Sequence, residues 1–498
     1  MLFFRSDSNA RSRTARGCSL PGLLAVALIG ICAANSYSQE TGVAAARKLD
    51  PNPVVQTPLN QELTSIDRYV AAADSTYHWE LVGSQATPAG TLFVLDLKSQ
   101  TWLTPEEVDR PVWQHWLTIF KPKAVTTNKA MMFIGGGGNS KEPPKGLDER
   151  VAAVGIATNS VVAELKQVPN QPLIFHGDGK TRVEDDLIGY TWDQFIKTGD
   201  DRWPARGPMT KAVVRAMDTV EAFLASEAGG KLKVDQFVVA GGSKRGWTTW
   251  MTAAVDKRVI AIAPLVIDVL NMDVSMRHHY GAYGFWAPAI EEYVDHRVMQ
   301  RRETDNYAKL LQIEDPFAYR DRFTMPKCII NATGDQFFLP DSSQFYFGEL
   351  PGEKHLCYVP NTEHSLKDSD AIETLIAFHY SIVHNTPRPE LSWKFDAKNR
   401  LSVQCETQPK RVLLWQAVNP EARDFRVDTI GKAYKSQELS ELSDGNYEVQ
   451  LVAPDKGWQA SFVQYEFDVG APVPLRLSTS VKVLPDVLPF LSKPIPKD

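Results

Sequence analysis

Between about residues 128 and 385 the chain alternates short apolar runs with stretches of helical periodicity, and few folds accommodate that texture. The runs at 130–134, 234–240, 259–267, 328–331 and 355–359 are nearly continuously apolar, as expected of strands buried on both faces of a mostly parallel sheet. The intervening segments are then the helices that cover it. One is well marked: Pro208 stands at its start, and Val213, Met217, Val220 and Leu224 recur every three or four residues as a core-facing stripe.

The flanks read differently. From about 60 to 125 apolar residues alternate with polar ones, as in Tyr77-Trp79-Leu81, which predicts antiparallel strands at the leading edge of the sheet. After the Pro-rich linker around Pro387 and Pro389, alternation returns in Leu391-Trp393-Phe395, Leu401-Val403-Cys405, Tyr447-Val449-Leu451 and Leu475-Leu477. That pattern predicts a separate all-β sandwich over 390–485, with 486–498 a tail.

Arg5, Arg11, Arg13 and Arg16 precede an apolar run over 20–34, and small and polar residues follow through Ser38. This is the order of a secretory signal, and the run is shorter than the roughly 20 apolar residues a spanning helix needs. A signal over 1–38, an extension over 39–60 and a main domain over 61–386 are expected, with an exported mature protein, periplasmic or extracellular, that keeps no membrane span. A net charge of -6 provides no basic field for a nucleic acid. Of five cysteines, Cys18 and Cys32 fall in the signal, and the odd remainder argues against a disulfide framework. Cys328 and Cys357 each precede a candidate site residue by seven positions, so neighbouring strands could hold them level, either bonded or as two buried thiols.

The strongest chemical signal is Gly241-Gly242-Ser243-Lys244-Arg245-Gly246-Trp247, where an apolar strand turns into a helix-like run. That is the setting of a nucleophile elbow, in which a strained serine needs small neighbours. The spacing is G-x-S-x-x-G, with Arg245 where the second glycine of G-x-S-x-G would stand, which leaves open how closely helix and strand approach. An acid and a histidine should follow on later strand ends, and they do: Gly334-Asp335 ends one strand, 92 residues after Ser243, and His364 lies in the loop after the next. The serine hydroxyl becomes a nucleophile when histidine takes its proton, and the acid fixes the histidine tautomer. Asp341 and Asp268 are rival acids, with Asp341 expected to cap the next helix. The strand 130–134 feeds Gly135-Gly136-Gly137-Gly138-Asn139, so amides of Gly136 and Gly137, with that of Lys244 at the helix start, are candidates for an oxyanion hole. Insertions near 180–210 and 271–319 are rich in aromatics, and Trp192, Tyr280, Trp286 and Arg245 are the candidate pocket residues. His278-His279 lacks companions at metal-ligand spacing, so no metal or cofactor is implied.

At these residues the chain resembles the PhoPQ-activated pathogenicity-related protein family, from about 67 to 483. The resemblance is carried by Trp116-Leu117, the glycine run after Ile134, Gly189-Tyr190-Thr191-Trp192, Trp203-Pro204, the elbow through Trp247, Gly334-Asp335 with Phe338 and Pro340-Asp341, and Gly457-Trp458. It implies an exported α/β-hydrolase fold with an accessory β domain, and no particular substrate. The basic elbow also looks like that of glucuronoyl esterases, where an arginine beside the nucleophile helps hold the oxyanion, a role open here to Lys244 or Arg245. The expected activity is a serine hydrolase working through an acyl-enzyme, most simply on a carboxylic ester of a small molecule, glycan or peptide. The alternatives are a peptidase with the same triad and a non-catalytic secreted binding or signalling protein.

Overall fold

The computed structural model describes residues 63–495, so the expected signal and extension lie outside the described residues. Helix α1 (Ser65–Ala71), closed by a Thr64 capping box, precedes three antiparallel strands, β1 (His78–Ala86), β2 (Gly90–Thr101) and β3 (Val112–Pro122). There follow β4 (Lys129–Ile134), α2 (Glu149–Thr158), β5 (Val161–Leu165), a ribbon of β6 (Leu173–Ile174) and β7 (Thr181–Arg182), α3 (Glu184–Thr198) and α4 (Arg206–Ala225). The central run is β8 (Gln236–Gly242), α5 (Lys244–Val255), β9 (Val259–Leu265), α6 (Met272–Tyr283), α7 (Glu291–Asp295), α8 (Asp305–Glu314), β10 (Lys327–Ala332), β11 (Lys354–Val359) and α9 (Ala371–His384).

The sheet runs β1-β2-β3-β5-β4-β8-β9-β10-β11, parallel from β5 to β11. Helices cover both faces, and this is the α/β-hydrolase fold. The order reverses at β5-β4-β8, so the glycine loop after β4 and the turn after β8 leave adjacent strands at the same edge, where such sheets keep their sites. Strand β5 is buried throughout and escapes the sequence reading, because Glu164 interrupts its apolar run; that carboxyl accepts from the Asp148 amide and lies 3.6 Å from Lys166. Helix α4 begins at Arg206, two residues ahead of Pro208, which sits in its first turn, where a missing N–H costs nothing.

The C-terminal strands are β12 (Leu391–Phe395), β13 (Arg400–Cys405), β14 (Arg411–Asn419), β15 (Lys435–Glu438), β16 (Asn446–Gln450), β17 (Trp458–Phe467), β18 (Leu475–Ser478) and β19 (Lys482–Leu484), with the short helix α10 (Val427–Ile430) between β14 and β15. β12, β13 and β16 form one antiparallel layer. Leu401, Val403 and Cys405 of that layer share a buried apolar cluster with Val412, Leu414, Tyr465 and Phe467 of the other. The second layer does not stand apart: β18 pairs with β11 at Leu356–Ser478, and the sheet continues through β17, β14 and β15. Side-chain alternation reports which face a strand buries and is silent about which strand it pairs with, so the junction was invisible in the sequence.

Cys328, Cys357 and Cys405 are free and buried. The first two are not level, because the β10–β11 register sets Cys328 opposite His355 and Cys357 opposite Ile330. Among the described residues no helix is long and apolar enough to cross a membrane.

Candidate active site

Strands β8, β10 and β11 are parallel, so the residues that follow them emerge at one edge of the sheet. Ser243 follows β8 directly and is its sharpest point: φ 56 and ψ -124 are values that non-glycine residues rarely adopt. Its amide donates to the Leu265 carbonyl at 2.8 Å, and its own carbonyl accepts from Trp247 as α5 begins. The glycines make that turn possible. A β-carbon on Gly241 would lie 2.8 Å from the Arg245 carbonyl oxygen, and one on Gly246 would lie 2.8 Å from the Leu265 oxygen and 2.9 Å from that of Gly241. Gly246 therefore permits the close helix–strand approach although it comes one residue late in the motif.

Asp335 and His364, both buried, stand on the loops after β10 and β11. The His364 Nδ1 lies 2.9 Å from Asp335 Oδ1 and 2.8 Å from Oδ2. The Phe337 amide donates to Asp335 Oδ1 at 2.8 Å, and the His364 amide donates to the Gln336 side chain at 3.1 Å. The Phe337 ring lies 4.2 Å from the imidazole, centroid to centroid, and Phe338 lies 5.9 Å away. Phe338 enters the sequence reading only as part of the family resemblance and Phe337 not at all, and neither was read as a neighbour of the histidine, although they follow Asp335 by only two and three positions.

The rival acids have other partners. Asp268 accepts 2.6 Å hydrogen bonds from the hydroxyls of Tyr346 and Tyr358. Burial pushes its carboxyl up to about 7 against those two donors, with Asp335 and Asp341 adding to the rise. Asp341 occupies the cap position before the turn at 342–345 but makes no capping bond there. Its carboxylate instead meets Arg423 at 2.6 Å and the His278 Nε2 at 3.1 Å. Burial would raise that carboxyl, yet Arg423 and His278 hold it far below the usual range.

The glycine loop is tied at both ends, Gly135 N–H to the Leu165 carbonyl at 2.8 Å and Asn139 N–H to that of Gln171. The amides of 136 to 138 between them donate to no main-chain carbonyl among the described residues. Under the loop lies Arg245: a β-carbon on Gly136 would sit 2.6 Å from its Nη2. Lys244 and Arg245, each 3% exposed, are committed to the start of α3 rather than to an open pocket. Arg245 grips Glu184 with two 2.8 Å bonds and also donates to the Val168 carbonyl. Lys244 reaches Asp185 at 2.6 Å and Glu184 at 3.2 Å. Burial would raise the Glu184 carboxyl, but Arg245 and Lys244 together hold it well below the normal carboxylate value. Glu184 is thus a site residue that sequence reasoning missed, for it lies about sixty positions before its partners and opens an unremarkable acidic run.

Of the remaining pocket candidates Trp192 and Tyr280 are buried and Trp286 is half-buried. Trp192 packs on Trp247 and Tyr293 in the seam where α3 meets the second insertion. Tyr293 and Arg301 from that insertion bond to Asp185 and Asp193 of α3, so the two insertions form one layer. Tyr280 and Trp286 pack together at 4.9 Å, and Tyr280 lines a cavity of about 300 Å³ with Met299, Phe490 and Pro494 that none of Ser243, Asp335 and His364 borders. His279 accepts from the Ala287 amide, and burial pushes its imidazole down to about 3. Among the described residues no group of three potential metal ligands occurs.

A strained serine after the strand next to the glycine loop, with a bonded acid–histidine pair after later strands of the same edge, defines a chain with the α/β-hydrolase fold and the residue types of a hydrolytic site in hydrolase order. The family model described as PhoPQ-activated pathogenicity-related protein matches residues 66–426. Autocrine proliferation repressor protein A of Dictyostelium discoideum is 39% identical over 459 residues, spanning 86% of this chain and 92% of that protein. The chain belongs to the PhoPQ-activated pathogenicity-related protein family. Among solved structures, acetyl xylan esterase 1 from Thermoanaerobacterium sp. is 14% identical with a TM-score of 0.42, covering 60% of this chain and 87% of that one. A glucuronoyl esterase from Solibacter usitatus is 15% identical with a TM-score of 0.36, covering 64% and 91%.

Proposed function

We propose that this protein is an exported serine hydrolase, most simply a carboxylic ester hydrolase, with Ser243 as nucleophile, His364 as base and Asp335 as the acid. The observation that carries the reading is the Asp335–His364 pair at 2.8 Å, on loops that leave the same sheet edge as the strained elbow. In the reaction His364 takes the Ser243 proton as the oxygen attacks the ester carbonyl, and it returns that proton to the departing alkoxide. Water repeats the sequence on the acyl-enzyme and releases the acid. Asp335 holds the imidazole with its Nδ1 proton inward and stabilises the imidazolium that forms. The tetrahedral oxyanion is held by the Lys244 amide at the start of α5, aided by the helix dipole, and by the amides of Gly136 and Gly137. The lysine and arginine side chains support this hole from below, since both already have carboxylate partners.

The name of the Dictyostelium relative favours a second reading, a secreted signalling protein that keeps the fold without turnover. A peptidase would use the same residues. Short-chain aryl esters and aminoacyl amides assayed side by side on purified mature protein separate the three. The proposal expects ester turnover that Ser243→Ala lowers by about three orders of magnitude or more. Turnover of neither class by the wild type would leave the signalling reading.

A further inference from the structure

The C-terminal β region reaches back to the loops that bear Asp335 and His364. Between β14 and β15, the segment 423–434 makes four separate attachments to them. The Val427 amide, first in α10, donates to the Gly334 carbonyl at 2.9 Å, one residue before the acid. Asp428 accepts from the Gln336 side chain at 3.3 Å, and the carbonyl end of that same side chain receives the His364 amide. Asn361, three residues before His364, exchanges two 2.9 Å hydrogen bonds with the main chain of Tyr434. Arg423 grips Asp341, at the far end of the acid loop, in a buried ion pair at 2.6 Å. Packing is as close as bonding: a β-carbon on Gly334 would stand 3.0 Å from the Val427 nitrogen. The acid and histidine loops are also laced to each other, Gly334 N–H to the Thr362 carbonyl and Asn361 N–H to Thr333 Oγ1, each at 3.0 Å.

We infer that the 423–434 segment is a positioning element of the hydrolytic site, holding the acid loop and the histidine loop in the register that lets Asp335 meet His364. The inference rests on the hydrolase reading for its catalytic consequence and on geometry alone for its mechanical one. Ion pairs with both partners buried and hydrogen bonds to loop carbonyls restrict motion where a small displacement of a catalytic group is costly, about a hundredfold in rate for 1 Å. A merely adjoining β domain would leave both loops intact when its contacts are altered.

Val427→Pro removes the one amide proton given to Gly334 and puts a ring carbon in its place. Proline is accepted at a helix's first position, and Arg426 before it, at φ -59 and ψ 142, already has the extended backbone proline demands. Asn361→Gly is the second variant: position 361 has φ 57, which glycine keeps, and the change deletes both bonds to Tyr434. Two measurements are made on each full-length mature protein, hydrogen exchange at 334–338 and 361–366, and ester kinetics. The inference expects exchange at least tenfold faster in both loops with β10 and β11 unchanged, and kcat lowered tenfold or more with KM within twofold. Exchange unchanged in the loops of both variants overturns it, as does wild-type kcat in variants whose loops are loosened. Should the wild type turn over no ester, the hydrolase reading falls by itself, and exchange still decides whether the segment holds the loops.

Discussion

Loss of the Glu184 side chain should be felt both in stability and in the chemistry. It joins α3 to the elbow through two 2.8 Å bonds to Arg245 and a 3.2 Å contact with Lys244, both cations being 3% exposed. Glu184→Gln keeps the shape and removes the charge. Stripping one partner from a fully buried pair costs about 3–5 kcal/mol. The Glu184 side chain is 30% exposed and Asp185 still neutralises Lys244, so solvent and the neighbour reduce the expected loss to about 2 kcal/mol. The pH dependence follows from the depressed folded-state value. The contribution of Glu184 is fully present above the unfolded carboxylate value of about 4.3 and disappears as the pH falls below it. Urea unfolding at pH 7 should therefore separate the variant from the wild type, with the gap closing toward pH 3. Because Arg245 fills the space beneath Gly136, its release loosens the glycine loop, and if that loop holds the oxyanion as proposed, kcat/KM should fall by about 10–100-fold, chiefly in kcat. A variant with wild-type stability and wild-type kcat would refute the view that this network supports the glycine loop.

Three other changes probe neighbouring parts. Gly136→Ala places a methyl against a guanidinium that Glu184 and the Val168 carbonyl prevent from moving, so kcat should drop about tenfold or more in ester assays, and the overpacking should cost about 1–3 kcal/mol in urea unfolding. Asp268 is neutral when folded up to about pH 7 and ionises near 3.9 when unfolded, so folding retains a proton between those values and stability falls as the pH rises through that window. Asp268→Asn removes this penalty, and its stability relative to wild type should improve by on the order of 2–3 kcal/mol between pH 5 and pH 8; a pH-independent difference would contradict the assignment. Asp335→Asn should lower kcat by at least about a hundredfold while leaving the fold intact by circular dichroism; a smaller loss would return Asp268 or Asp341 to consideration as the acid.

The parts of the site visible in the sequence were those set by local backbone demands. The elbow showed itself because a strained serine at the end of a buried strand needs small neighbours, here Gly241 before it and Gly246 after it, and Asp335 and His364 because each follows an apolar run. What remained hidden depended on distance along the chain. The partners of Lys244 and Arg245 open α3, about sixty positions earlier in the chain, and without them the two cations read as candidates for substrate contact. Asp341 read as a helix cap because its sequence context is that of one, while its real partner, Arg423, comes from the C-terminal β region. The alternation of 391–484 gave some strands of that region, but not β14, β15 or β19, nor the continuity with β11. Trp192, Tyr280 and Trp286 show a different limit, since an aromatic cluster in an insertion looks the same in sequence whether it packs that insertion, as Trp192 does on Trp247 and Tyr293, or lines a cavity, as Tyr280 does.

The proposed chemistry requires that Ser243 be an activated nucleophile. Incubating purified mature protein with a fluorophosphonate and locating the adduct by peptide mass mapping should give one modification per chain, on Ser243, with labelling abolished in Ser243→Ala and slowed by orders of magnitude in His364→Ala. An unlabelled wild type, or equal labelling of Ser243→Ala, would contradict it.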